Sequence, residues 1–260
     1  MVFEVPDIDE TQAPLLDHLI ELRTRLLRAI MALGIAFCIC LYFASDIFGL
    51  LIHPLTEAFP PGQGKLVYTK LYEAFFVELK VALFGGFVLS FPVIANQLWA
   101  FVAPGLYAKE KKAFLPFLFM TPFLFACGAS LAYFIVMPTA FKWMLGFQGM
   151  KGGLTVEALP AAGDYLGLVM QFILAFGVSF LLPVLLLLLN RAGIVSRQQL
   201  IGMRRYVIVA LTAVAAVITP PDLMSQILLL VPLVLLFEGS LLVMWLGERK
   251  AAKAEPPAEV

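Results

Sequence analysis

Between Ala29 and Ser45 the chain carries no charged residue, and this is one of several long apolar runs within its 260 positions. A helix rises about 1.5 Å per residue, so about 20 residues in a row cross a hydrocarbon core of about 30 Å. In lipid the backbone must satisfy its own polar groups, which favours helices. Composition points the same way. Hydrophobic residues make up 62% and charged residues 14%, and the mean hydropathy is +0.94, whereas soluble domains carry about a quarter charged residues. The sequence predicts an all-α integral membrane protein. Cys38, Cys40 and Cys127 fall inside apolar runs and read as small buried residues, not as a disulfide framework. The bases are not gathered on one soluble face, so no nucleic-acid partner is expected.

Residues 1–14 are acidic, with Glu4, Asp7, Asp9 and Glu10. They read as a disordered tail and not as a removable signal peptide, which needs a positive start. From Leu15 the pattern turns helical. His18, Glu21, Arg25 and Arg28 recur at steps of three and four on one face of a short amphipathic lead-in at the membrane surface. The first span is expected over Ala29–Phe48, followed by a far-side loop with His53-Pro54 and Pro60-Pro61-Gly62. A second helix, Tyr72–Phe101, is expected to break or bend near Pro92, with Glu73, Glu78 and Lys80 at its outer end and the last two near one another. Phe114–Leu145 is the third helix. A Gly/Pro-rich outer loop with room for a short helix, Gly146–Asp164, leads to a fourth over Tyr165–Leu189. After the basic loop Asn190–Arg205, Tyr206–Ile218 offers only 13 residues before Thr219-Pro220-Pro221-Asp222, and Leu223–Leu246 returns with Pro232 and Glu238 inside it. Residues 15–247 thus form one six-helix transmembrane domain with a short final hairpin. A disordered tail is expected over 248–260.

Six spans place both termini on one side. Thirteen of the 18 bases fall on that side, and Lys65, Lys70, Lys80, Lys142 and Lys151 on the other. The bias makes both termini cytoplasmic. The stretch Asn96–Lys112 leaves the bilayer there. Trp99 and Phe101 end an apolar run, Pro104-Gly105 is expected to break the helix, and Glu110 stands among Lys109, Lys111 and Lys112. Taken alone, that stretch reads best as a solvated charge run, and Glu21 as an ordinary helical pair with Arg25.

Enzyme chemistry lacks parts. His18 and His53 are expected on opposite sides of the membrane, so neither Ser130 nor Ser179 has a histidine partner in reach. No metal-ligand spacing is present, and Phe59 and Leu66 stand where a phosphate loop around Gly64-Lys65 needs Gly and Ser/Thr. Neither catalysis nor a cofactor is expected. A proton-coupled small-solute secondary transporter is an alternative, with Glu238 as the one clear intramembrane carboxylate, but no internal repeat supports it.

His18-Leu19-Ile20-Glu21-Leu22-Arg23-Thr24-Arg25, Trp99 to Tyr107, Lys109-Glu110-Lys111, Phe176-Gly177-Val178-Ser179-Phe180 and Thr219-Pro220-Pro221-Asp222 come in this order and spacing. Together with Pro54 they resemble the TatC family, the six-span receptor subunits of the twin-arginine protein translocase, over about Leu15 to Trp245. The resemblance implies a multi-pass protein of the cell inner membrane that binds signal peptides with paired arginines on folded cargo. It also implies work with single-span TatA- and TatB-type subunits, assembly as a homo-oligomer within the complex, and use of the proton-motive force. Carried over by motif, Glu21 and Glu110 hold the arginine pair, with Arg23, Arg25, Phe101, Pro104 and Tyr107 in the same binding segments. The signal's apolar stretch is expected along an intramembrane concavity. Pro54, Pro220 and Asp222 fall at structural positions on the periplasmic side. Thr219 and Gln226 match a partner-subunit contact, and equally well a turn residue and a helix-terminal amide. One departure is Leu181, where many relatives carry a glutamate.

The charge bias predicts that single cysteines at positions 23, 111, 197 and 250, in a chain without its native cysteines, label from the cytoplasm with an impermeant thiol reagent. Positions 65 and 151 label from the other side. Labelling of 111 and 65 from the same side contradicts six spans.

Overall fold

The computed structural model describes residues 8–60, 64–106, 111–219 and 222–254, without the side chains of 8–17, 102–106, 111–117, 151, 155, 218 and 250–254. Ten α-helices are assigned among them. The first, α1 (Ile8–Tyr42), is 35 residues long and joins the expected lead-in and first span into one rod. Nothing between Leu15 and Tyr42 forces a break: the stretch has no proline, and its single Gly34 costs a helix only about 1 kcal/mol. The first span therefore ends at Tyr42, short of Phe48. Phe43 turns the chain (φ −98°, ψ 19°) into α2 (Ala44–Ala58), so His53-Pro54 belongs to a helix and not to a loop.

Pro54 has no N–H for the Leu50 carbonyl one turn back. The Tyr133 hydroxyl donates to that carbonyl at 2.7 Å, and the Tyr165 hydroxyl donates to Leu51 O at 2.9 Å. Two tyrosines from later in the chain thus dock the proline-bearing helix onto the bundle.

α3 (Glu73–Leu106) runs unbroken through Pro92 and two residues beyond Pro104. The expected break at Pro92 is absent, because a proline removes one hydrogen bond and neighbouring helices hold the rest of the rod in place. α1 lies along it. A Cβ on Gly86 would fall 2.9 Å from the Phe37 backbone, and Ala82 is fully buried in the same seam. Small residues there bring the two backbones together.

α4 (Lys111–Leu131) begins three residues ahead of the expected start and passes through a π-helical turn, Ala132–Val136, into α5 (Met137–Leu145). Pro138 stands two residues past the end of that turn. Widening the helix there accommodates a residue that cannot donate to Phe134 O. The outer loop then forms a hairpin, β1 (Gly149–Lys151) with β2 (Leu154–Val156). Its two-residue tip is Gly152-Gly153 at φ 61° and 86°, the backbone such a tight turn demands. This replaces the short helix for which the loop had room. The outer connections are tied together: Val67 bridges to Ala161, and the Glu73 carboxylate accepts from Thr69 N, Lys70 N and Gly163 N.

The fourth apolar run is two helices, α6 (Ala162–Ser179) and α7 (Leu182–Arg191), separated at Phe180-Leu181 just ahead of Pro183. α8 (Arg197–Gly202) starts from a reciprocal Ser196/Gln199 cap inside the expected basic loop. α9 (Arg204–Ile218) has 15 residues, about 22 Å. α10 (Leu223–Ala254) continues past Glu248 into the expected C-terminal tail, just as α1 begins at Ile8 inside the expected N-terminal one. Five helical stretches among the described residues are long and apolar enough to span, and α9 is too short to count with them.

The core centres on Phe172, Phe176 and Phe237, all fully buried. α4 and α6 meet there glycine to ring. A Cβ on Gly128 would lie 2.4 Å from Phe176 O, and one on Gly177 would lie 2.5 Å from the Phe125 ring, which stacks on Phe91 of α3 at 3.8 Å. Cys40 is buried as expected, whereas Cys38 and Cys127 are exposed on the outside of the bundle, where apolar side chains face lipid. Enlarging either tight glycine forces the helices apart, and overpacking of this kind costs about 1–3 kcal/mol. Gly128→Leu and Gly177→Leu are expected to lower the thermal unfolding midpoint of the detergent-solubilised protein, whereas Gly167→Ala, which meets open space, leaves it near the parent value.

Candidate functional site

Antiparallel packing of α1 against α3 brings the start of one helix to the end of the other. His18 stacks on Phe101 with ring centroids 4.3 Å apart and planes 19° apart. One turn along α1 stands Glu21, on the same face by helical spacing. Its Oε1 accepts from Arg25 Nε at 2.9 Å and Nη2 at 2.5 Å. The carboxylate is 34% exposed and the guanidinium 22%, so both are only half in water. Arg23 is exposed and has no ion pair among the described residues. The second acid of the expected pair, Glu110, lies outside the described residues, as does Tyr107. The backbone of Pro104 lies in the last turn of α3, and α4 opens at Lys111. The chain segment carrying Glu110 therefore joins α3 and α4 five residues after Phe101, the ring that touches His18.

Below this end, α3, α6, α7 and α9 leave a groove of 1310 Å³. Leu83, Phe87, Leu174, Val178, Leu181 and Leu185 are among its walls. Trp99 stands at the His18 end and donates through Nε1 to Thr121 Oγ1 at 2.8 Å. Leu181, the departure noted in the sequence, lies on the groove wall at the break between α6 and α7. The charged residue on the lining is Lys80. Glu78 and Lys80, expected near one another at the outer end of the helix, form no ion pair. Nothing in the local sequence sets Lys80 apart from other outer-end charges. Only the i, i+3, i+4 and i+7 spacing to Leu83, Phe84 and Phe87 could have placed it on the groove face.

The third set of residues is at the α9–α10 turn. Thr219 is buried and donates to Ala215 O, and Asp222 Oδ1 accepts from Ser225 N at the start of α10. Asp222 Oδ2 and Ser225 Oγ are buried without a hydrogen-bond partner. Gln226 Nε2 lies 3.5 Å from Thr212 O, at the long limit of a hydrogen bond. Pro220 lies outside the described residues. At the other end of the hairpin Arg204 donates to Glu238 at 2.8 Å, and Arg197 to Glu248 at 2.7 Å. The acid singled out as lone inside a span is thus paired. The sequence holds the signal for it: α9 has 15 residues, and Glu238 stands 15 positions after Leu223. A hairpin of equal arms therefore sets Arg204 opposite the acid.

Known proteins bear on this arrangement. The family model for "Sec-independent protein translocase protein (TatC)" matches residues 17–232. The Sec-independent protein translocase protein TatC of Magnetococcus marinus is 47% identical over 250 residues, covering 96% of this chain and 90% of that protein. The protein of the same name from Escherichia coli K12 is 41% identical over 231 residues, covering 89% of this chain and 87% of its own. A crystal structure of the twin arginine translocase receptor TatC in DDM superposes with a TM-score of 0.76 at 38% identity, over 87% of this chain and 98% of that one. The chain belongs to the Sec-independent protein translocase (TatC) family.

Proposed function

We propose that this chain is the signal-peptide receptor subunit of a twin-arginine translocase, with Glu21 and Glu110 together accepting the two arginines. The observation that carries this reading is the Glu21 carboxylate, half-desolvated at the bundle end and already holding a guanidinium, that of Arg25. A guanidinium is always charged and offers a planar fork that a carboxylate accepts at two points, which an ammonium cannot copy. Exposed helical pairs contribute about 0.3–0.5 kcal/mol, whereas a hydrogen bond to a charged group contributes about 1.5–3 kcal/mol. Arg25 is therefore a competitor that a signal arginine displaces, and it keeps binding reversible. The signal's apolar stretch follows from the bundle end into the Trp99 end of the groove.

The same reading has six spans with both termini cytoplasmic in the cell inner membrane, on the strength of the thirteen-to-five distribution of bases. It uses no catalytic chemistry of its own and no cofactor. Single-span TatA- and TatB-type subunits dock at the Thr219–Gln226 patch, where half-satisfied polar groups favour a partner helix over lipid tails. The complex contains more than one copy of the chain and is driven by the proton-motive force. The solute-transporter alternative loses its main support, because Glu238 is neutralised by Arg204.

Affinity of the detergent-solubilised protein for a twin-arginine peptide tests the site. Glu21→Gln and Glu110→Gln each lower it about tenfold or more, and the double variant loses less than the sum because a shared site couples its members. Arg25→Gln raises affinity a few-fold, and a twin-lysine peptide binds weakly to every form. Unchanged affinity in the double variant, with its unfolding midpoint intact, contradicts the site.

A further inference from the structure

Among the described lining residues, the groove between α3, α6, α7 and α9 pairs an apolar wall with a single cation. Lys80, Leu83, Phe84 and Phe87 line it from α3 at positions i, i+3, i+4 and i+7, one continuous face. Lys80 has no ion pair among the described residues. Its depth follows from the helix. The span Glu73–Phe101 is centred on residue 87, so Lys80 lies about 10 Å from the centre along the axis. In a hydrocarbon core of about 30 Å that places its backbone about 5 Å inside the apolar edge. An ammonium at that depth is costly unless it reaches the interface or meets an anion.

Space is present at the same level. Glu73 of α3 accepts from Gly163 N of α6, so the two helices, which run in the same direction, are in register at that point. Seven residues on from Glu73 is Lys80, and four on from Gly163 is Gly167, which lines the groove and whose missing Cβ would meet nothing within 4 Å. The cation thus stands within about a turn of a gap in the wall. The cavity volume of 1310 Å³ exceeds the roughly 300–1,000 Å³ of small-molecule pockets. It suits long chains more than a compact solute.

We propose that this groove is a seat for an anionic phospholipid, its headgroup phosphate drawn to Lys80 in the space beside Gly167 and its acyl chains lying along Leu83, Phe87, Leu174 and Val178. A lone cation at one end of an apolar trough is the charge and shape complement of such a molecule. The seat is in the leaflet at the Glu73 end, away from Glu21, and it does not depend on what binds at Glu21.

The experiment places an indole in the seat with Phe87→Trp and reads quenching by lipids brominated in mid-chain. The full-length protein is reconstituted in phosphatidylcholine vesicles with a minor fraction of brominated phosphatidylglycerol or, in parallel, brominated phosphatidylcholine. The quenching of the added indole is taken as the difference from the parent chain. Phosphatidylglycerol is expected to quench it more strongly, by up to about fivefold, the range of a part-exposed ion pair. Lys80→Gln brings the two lipids to equality, Lys80→Arg keeps the preference, and Gly167→Leu, which fills the space and leaves the charge, reduces quenching by both. Unfolding midpoints confirm that each variant is folded. Equal quenching in the Lys80 protein overturns the proposal, as does a preference that survives Lys80→Gln. Quenching by neither lipid also overturns it and assigns the groove to another copy of the chain or to a dry cavity. Equal quenching abolished by added signal peptide overturns it in favour of the peptide's apolar segment.

Discussion

Inside hydrocarbon no water is available to a backbone carbonyl, so each group freed by a proline has to find its partner in protein. That requirement organises this bundle. The same demand is met outside the candidate spans, in α2, where Pro54 frees Leu50 O, and Tyr133 answers it while Tyr165 takes the next carbonyl. Both tyrosines come from later in the chain, Tyr133 from the π turn and Tyr165 from α6, and they join α2 to those elements. Pro138 is met by a π turn, and Pro183 by the break at Phe180-Leu181. Leu181, Leu182 and Leu185, at and just after that last break, line the groove wall.

Where charge enters this otherwise apolar frame, two ion pairs join separate elements. Arg204 with Glu238 and Arg197 with Glu248 tie α9 and α8 to α10. The Glu21–Arg25 pair has a different setting, at the free end where α1 meets α3 beside a His18–Phe101 stack. A pair within one helix ties no two elements together, so losing it leaves the fold as it was. The acid is thereby available for exchange. In the groove the charged group among the described lining residues is Lys80, set against an apolar wall that includes Leu181.

The apolar runs were enough to place most helices, because hydrocarbon thickness fixes their length. What stayed hidden depended on contacts distant in sequence. The Phe43 turn and the continuity of α1 could not be read from Ala29–Phe48, since an apolar run looks the same on either side of a bend. The Gly152-Gly153 hairpin was masked by a composition that suits any loop. Of the break or bend expected near Pro92, the break is absent, because packing of neighbouring helices keeps α3 continuous. At the site, the motif spacing pointed to Glu21 and its neighbours. The His18–Phe101 stack and the paired state of Glu238 needed the helix packing, because each joins residues at least 34 positions apart.

The central claim is that one pair of arginines is held at once by the start of α1 and by the segment joining α3 to α4. A photoreactive residue placed beside the arginine pair of a signal peptide, with adducts mapped by mass spectrometry, tests it directly. The account predicts adducts in both the His18–Arg28 stretch and the Phe101–Lys112 stretch, at a ratio that shifts with the side of the pair on which the probe is placed. Adducts confined to one of these stretches, or found only on α9 and α10, would contradict it.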